Sequence, residues 1–73
     1  MRITSNGTRL IAMACETMAA APVGETLNYV TAKGVMRVTK TGHNGYDLRS
    51  PETGKIEETD HNGLGLAILT HGY

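Results

Sequence analysis

Hydrophobic and polar residues alternate through Thr26–Thr59, and this alternation predicts a ribbon of antiparallel strands. Lys33-Gly34 is interpreted as the first turn, because glycine at the second central position suits a two-residue hairpin. That turn sets Thr31 opposite Met36, and opposed residues share a face of the sheet. One face then collects apolar side chains: Leu27, Tyr29, Met36 and Val38. The other face is mostly polar: Asn28, Val30, Arg37 and Thr39.

The connection at residues 42–45 admits two registers, which direct the following side chains to opposite faces. A two-residue Asn-Gly turn would point Leu48 away from the apolar face. A three-residue loop with Gly45 in the left-handed conformation instead sets Leu48 opposite Lys40 and keeps Tyr46 on the apolar face. Burial favours this second register.

Ser50–Gly54 is typical of a loop, with proline at a position that a type I turn prefers and a closing glycine. As a five-residue loop it pairs Arg49 with Lys55 and Leu48 with Ile56. Because two basic residues make a weak pair, a loop of fewer than five residues is the alternative.

The segment before the ribbon is typical of an amphipathic helix over residues 8–21, with apolar positions at three- and four-residue steps. Ser5, Asn6 or Thr8 is a suitable N-cap, and Pro22 with Gly24 ends the helix. Residues 1–4 are interpreted as a short edge strand or a mobile terminus.

The segment at residues 64–71 supports two interpretations. Alternation of Leu64, Leu66 and Ile68, together with two nearby glycines, favours a strand. Spacing from Leu64 to Ile68 also fits a short helix capped by Asp60 or Asn62. We expect the strand. The predicted fold is α+β: one N-terminal helix packed on a three- to four-stranded antiparallel sheet, in a single small domain of residues 1–73.

Composition limits the core of this domain. The 73 residues include no Phe or Trp, so aliphatic, Met and Tyr side chains must fill it. A lone cysteine forms no internal disulfide, and small domains without disulfides or metals often oligomerise, so we expect a homo-oligomer. Seven basic and seven acidic residues balance, which does not favour nucleic acid as a partner. No apolar run approaches a membrane span and no signal-peptide pattern opens the chain; we therefore expect a cytoplasmic protein without a membrane partner.

Candidate chemistry is sparse. Three histidines and the cysteine, at His43, His61, His71 and Cys15, lack the paired spacing of zinc ligands, so we expect no metal. Cys15 lies on the apolar stripe of the predicted helix, where a packed thiol is inert. The Gly63-Leu64-Gly65 run lacks the third glycine and the strand-turn-helix context of a dinucleotide-binding loop. We expect no catalytic residue, no cofactor and no enzymatic activity.

By elimination, the sequence favours a non-catalytic protein-interaction module that docks on a larger protein and modulates or inhibits it. Small domains of this kind are common among accessory proteins of phages and mobile elements, which is an analogy only. The alternative is a homo-oligomeric protein that binds a small ligand or nucleotide between subunits, near the His43 loop and Arg37. The candidate interaction surface consists of six residues: Arg37, Lys40, His43, Asn44, Leu66 and Ile68.

Overall fold

The computed structural model describes residues 5–73, except for the side chain of Asn6. Along the chain, one helix precedes and one follows a meander of four strands. The elements are α1 (Ser5–Ala20), β1 (Thr26–Thr31), β2 (Gly34–Gly42), β3 (Gly45–Arg49), β4 (Ile56–Thr59) and α2 (His61–Gly72). All neighbouring strands are antiparallel, and the sheet order is β1-β2-β3-β4. The predicted α+β class is therefore confirmed, with a second helix added. The interpretation of residues 1–4 lies outside the described residues.

The core lies between one face of the sheet and both helices. Tyr46 and Leu48 of β3 are almost fully buried, as are Met36 and Val38 of β2. Further buried apolar residues come from β1, α1 and α2: Tyr29, Ala14, Met18, Leu64 and Ile68. The apolar side of the ribbon is thus the side that the helices cover.

The first hairpin turns at Ala32-Lys33, one residue earlier than predicted, so Thr31 pairs with Gly34 and Tyr29 with Met36. The Thr31 hydroxyl stabilises this turn by donating to the Gly34 carbonyl over 2.7 Å and accepting from the Lys33 amide over 3.3 Å. Gly34 has a φ of +129°, a conformation that glycine adopts without strain. The predicted pairing was wrong by two residues, a shift that leaves every side chain on its predicted face.

The second hairpin has a two-residue turn at His43 and Asn44, and the predicted three-residue loop was wrong. Gly45 has no positive φ. The register instead shifts between Lys40 and Gly42, so that Lys40 pairs with Tyr46. This bulge returns Tyr46 to the apolar face, the outcome that burial required.

The third connection is shorter than the five-residue loop that the sequence predicted. The Ser50 amide donates to the Lys55 carbonyl over 2.9 Å, which leaves four loop residues, and Arg49 pairs with Ile56. The predicted pairing of Leu48 with Ile56 was therefore wrong by one residue. This shift reverses the face of β4, and Ile56 is 66% exposed on the side opposite the helices.

The predicted C-terminal strand was wrong, because residues 61–72 form α2. An Asp60 side-chain oxygen accepts from the Gly63 amide over 2.7 Å and caps the helix. The buried residues Leu64, Ile68 and Gly72 recur every four positions, the spacing of one helical face. The alternation that predicted a strand depended on Leu66. In the structure Leu66 is exposed, on the side of α2 opposite the buried residues.

α1 already includes Ser5, Asn6 and Thr8, so its predicted start was too late, whereas its end before Pro22 is confirmed. The C-terminal carbonyls of the helix are bound by a lysine from the sheet. Lys40 Nζ donates to the Ala19 carbonyl over 2.9 Å and to the Ala21 carbonyl over 2.8 Å. A cation at a helix C-terminus also complements the helix dipole.

Candidate interaction surface

Neither helix covers the second face of the sheet, which we call the open face. Strand alternation and the observed register assign ten side chains to it: Thr26, Asn28, Val30, Val35, Arg37, Thr39, Asp47, Arg49, Ile56 and Glu58. Val30 is 74% exposed and Val35 is 59% exposed. Scattered apolar residues are common on protein surfaces, but here Val30, Val35 and Ile56 share one face of the sheet.

Strand pairing arranges the open face in three rows across the sheet. Val30 stands opposite Val35 and forms an apolar row near the first turn. The next row is basic and ends in an apolar residue: Asn28, Arg37, Arg49 and Ile56. The last row becomes acidic toward β4: Thr26, Thr39, Asp47 and Glu58. The open face therefore separates apolar, basic and acidic groups into adjacent stripes.

Arg37 and Arg49 face each other directly across β2 and β3. Opposed like charges destabilise a strand pair by up to roughly 1 kcal/mol. The Arg37 Nε donates to Asn28 Oδ1 over a long 3.5 Å, and no carboxylate in the described part of the chain forms an ion pair with either arginine. Both guanidinium groups are thus available to bind an anion.

Two shallow cavities flank this arginine pair. One of about 260 Å³ is bordered by both arginines, Asn28 and the loop residues Ser50 and Pro51. The other, of about 240 Å³, is bordered by the same arginines, Asp47 and Ile56. A guanidinium group binds a carboxylate through two parallel hydrogen bonds. The geometry therefore suits an acidic side chain flanked by apolar contacts better than an enclosed small molecule.

The structure separates the six residues predicted as an interaction surface. Arg37 lies on the open face, but Lys40 and Ile68 are buried, with exposed fractions of 6% and 0%. Lys40 binds the end of α1, and Ile68 packs in the core. Neither contributes surface for a partner in this conformation. Leu66 is exposed on α2, on the helical side of the molecule.

His43 and Asn44 lie in the second turn and border a cavity of about 380 Å³ together with Tyr46 and His61. Asn44 Oδ1 accepts from the His61 amide over 3.1 Å, which joins this turn to the start of α2. Arg37 does not border this cavity. Within one chain, His43 and Arg37 therefore border different cavities.

Two further features involve titratable groups outside the open face. Burial raises the pKa of the Cys15 thiol, which favours the unreactive protonated form. Glu57 Oε2 contacts His71 Nε2 and links β4 to α2. Over residues 5–73, no group of three or more His, Cys, Asp and Glu side chains is placed to hold a metal. Neither described helix has the length and hydropathy needed to cross a bilayer.

Sequence reasoning identified Arg37 and its exposed face, but omitted Arg49 and Ile56 from the candidate surface. The sequence contained the signal for Arg49: it lies two residues after Asp47 on β3, and residues two apart in a strand share a face. Ile56 depended on the loop length, since a one-residue change moves it between the core and the open face.

Compared with known proteins, the chain matches no family model, no curated protein and no solved structure.

Proposed function

We propose that this protein is a small non-catalytic interaction module that docks on a larger protein through its open face and modulates that partner. The observation that carries the proposal is the arginine pair Arg37 and Arg49, which forms no ion pair within the described part of the chain and lies near exposed apolar side chains. Arginine at the centre of a patch is typical of the residues that dominate binding energy at interfaces, and the contacts around such a residue exclude water from it.

The arginine pair also suggests the chemistry of the partner surface. A carboxylate between Arg37 and Arg49 would offset their mutual repulsion and form charge-assisted hydrogen bonds. Val30, Val35 and Ile56 would pack around this contact and exclude water from it. The partner is therefore expected to present an acidic side chain within an apolar surface.

The proposal includes a cytoplasmic location. Cys15 is a free thiol, and a reducing compartment keeps such thiols free.

The proposal is tested by affinity capture from the organism that encodes the chain, followed by calorimetry with the purified partner. Arg49→Glu is the informative variant, because it places opposite charges at Arg37 and position 49 and so should not destabilise the sheet. Leu66→Ser is the matched control, since it removes an exposed apolar side chain from the helical side. We expect Arg49→Glu to weaken partner binding at least tenfold and Leu66→Ser to leave it unchanged.

The reverse pattern, with binding lost in Leu66→Ser and kept in Arg49→Glu, would move the interface to the helical side. Failure to capture any partner at near-native concentrations would count against the interaction module itself.

A further inference from the structure

β1 is an edge strand, and in the described part of the chain only β2 pairs with it. The Lys40 amide of β2 donates to the Glu25 carbonyl over 2.9 Å, so the backbone groups of residue 25 point toward β2. Backbone groups alternate between the two sides of an antiparallel strand. Residues 27, 29 and 31 therefore bond to β2, while the amides and carbonyls of Thr26, Asn28 and Val30 point away from the sheet.

The two edges of the sheet differ in their protection against pairing with another chain. β4 is four residues long and carries adjacent carboxylates at Glu57 and Glu58. Short length and charge are the features that block edge-to-edge association. β1 is six residues long, and its sequence, Thr-Leu-Asn-Tyr-Val-Thr, contains no charge and no proline. Among residues 5–73, the β1 edge is thus open to pairing, whereas the β4 edge is protected.

We propose that the β1 edge pairs antiparallel with β1 of a second copy of this chain, about a two-fold axis at Asn28. In this register Asn28 faces Asn28 of the second copy, and Thr26 faces Val30 of the second copy. Every outward-directed amide and carbonyl of these residues then has a partner, because all of them fall at hydrogen-bonded pairs of the new ladder. The two sheets become one continuous sheet, and their open faces lie side by side.

The side chains along β1 suit a second copy as the occupant, because the two-fold register opposes no like charges. The opposed pairs within the strand are uncharged: Asn28 with Asn28, Thr26 with Val30, and Leu27 with Tyr29 of the second copy. Each contact away from the axis occurs twice, as a two-fold interface requires.

The experiment uses the full-length chain in sedimentation equilibrium and light scattering across a range of protein concentrations. We expect the wild-type chain to dimerise reversibly. Asn28→Pro removes an outward amide without touching the bonds between β1 and β2, and proline is tolerated at such edge positions. We expect this variant to be monomeric with a retained thermal transition. Glu58→Pro is the matched control, because its amide points outward on the β4 edge, and it should dimerise like the wild type.

A second variant guards against misfolding of Asn28→Pro. Asn28→Asp keeps the size of the side chain and its contact with Arg37, yet places two carboxylates opposite each other at the axis. We expect a several-fold weaker dimer that recovers as salt screens the repulsion. In the wild type, amide hydrogen exchange at Thr26, Asn28 and Val30 should slow as the protein concentration rises.

The proposal is overturned by a wild-type chain that stays monomeric at millimolar concentration. A dimer that is unaffected by both Asn28 variants, or one that Glu58→Pro disrupts equally, also overturns it, as does concentration-independent exchange at the three amides. If the β1 edge instead pairs with a strand of a different protein, the isolated chain stays monomeric. That result also overturns the proposal.

Discussion

Gly72, near the end of α2, occupies a position where the helix meets the sheet too closely for any larger residue. A Cβ atom added there would lie 2.6 Å from Thr31 Cγ2, 2.8 Å from Thr31 Cβ and 3.2 Å from Met36 Cε. Thr31 is β-branched and held by its own hydrogen bonds to the first turn, so it has little freedom to yield. Gly72→Ala should therefore force the end of α2 away from the sheet.

Two opposing terms set the size of this effect. Overpacking a dense site typically costs about 1–3 kcal/mol, while replacing glycine by alanine within a helix gains up to about 1 kcal/mol. Lifting the helix also weakens the bond from the Lys33 amide to the Gly72 carbonyl and that between the hydroxyls of Tyr29 and Tyr73. We expect a net loss of about 1–2 kcal/mol in the free energy of unfolding, which lowers the melting temperature by roughly 4–16 °C in a domain of this size.

Gly65→Ala is the matched control in the same helix. Its added Cβ would lie 3.6 Å from Cys15 Sγ and 3.7 Å from Ile11 Cγ2, which are ordinary contact distances. This variant should be as stable as the wild type or more stable by up to about 1 kcal/mol, because only the helix propensity changes. Urea unfolding followed by circular dichroism measures both variants. The reasoning is refuted if Gly72→Ala is as stable as Gly65→Ala.

Three further predictions concern the contacts that position the two helices. Asp60→Ala should lower the free energy of unfolding by about 1 kcal/mol by removing the α2 cap, and Asp60→Asn should retain most of it in the same urea assay. Lys40→Met should cost about 1–3 kcal/mol because the carbonyls at the end of α1 lose their donor, whereas Lys55→Met on the surface should cost little. Burial, followed by the hydrogen bond to Tyr73, raises the pKa of the Tyr29 phenol above its ordinary value of about 10. The unfolded chain releases this proton at a lower pH than the folded chain, so the stabilisation is complete below about pH 10 and is lost as the pH rises toward the folded pKa. Tyr29→Phe should flatten this alkaline decline in unfolding free energy, and an unchanged slope would contradict the assignment.

The face assignment of the ribbon was predictable because the period of a strand is two residues. Tyr29, Met36 and Val38 are buried as the alternation predicts, even though the predicted turn was displaced. An error of two residues in pairing preserves the faces, and an error of one reverses them. This is why the first two hairpins kept their faces and the third, at Ile56, did not.

The candidate surface was less predictable, because exposure depends on which elements pack together. Lys40 was included in the candidate interaction surface, but the end of α1 lies over it and accepts its hydrogen bonds. Ile68 was predicted to lie in a strand that forms part of an interface, and it is buried in the core as part of a helix. Arg49 became significant only when the register placed it opposite Arg37.

The sequence by itself determined the periodic features of this protein: an N-terminal helix ended by Pro22, an antiparallel ribbon, and the apolar face of that ribbon. These follow from local spacing and from residues whose backbone preferences act within a few positions. Only the tertiary structure decided whether the C-terminal segment is a strand or a helix. The Asp60 cap and the close approach of Gly72 to Thr31 favour the helix despite its glycines. It also decided which face neither helix covers, because both helices pack on the same side of the four strands.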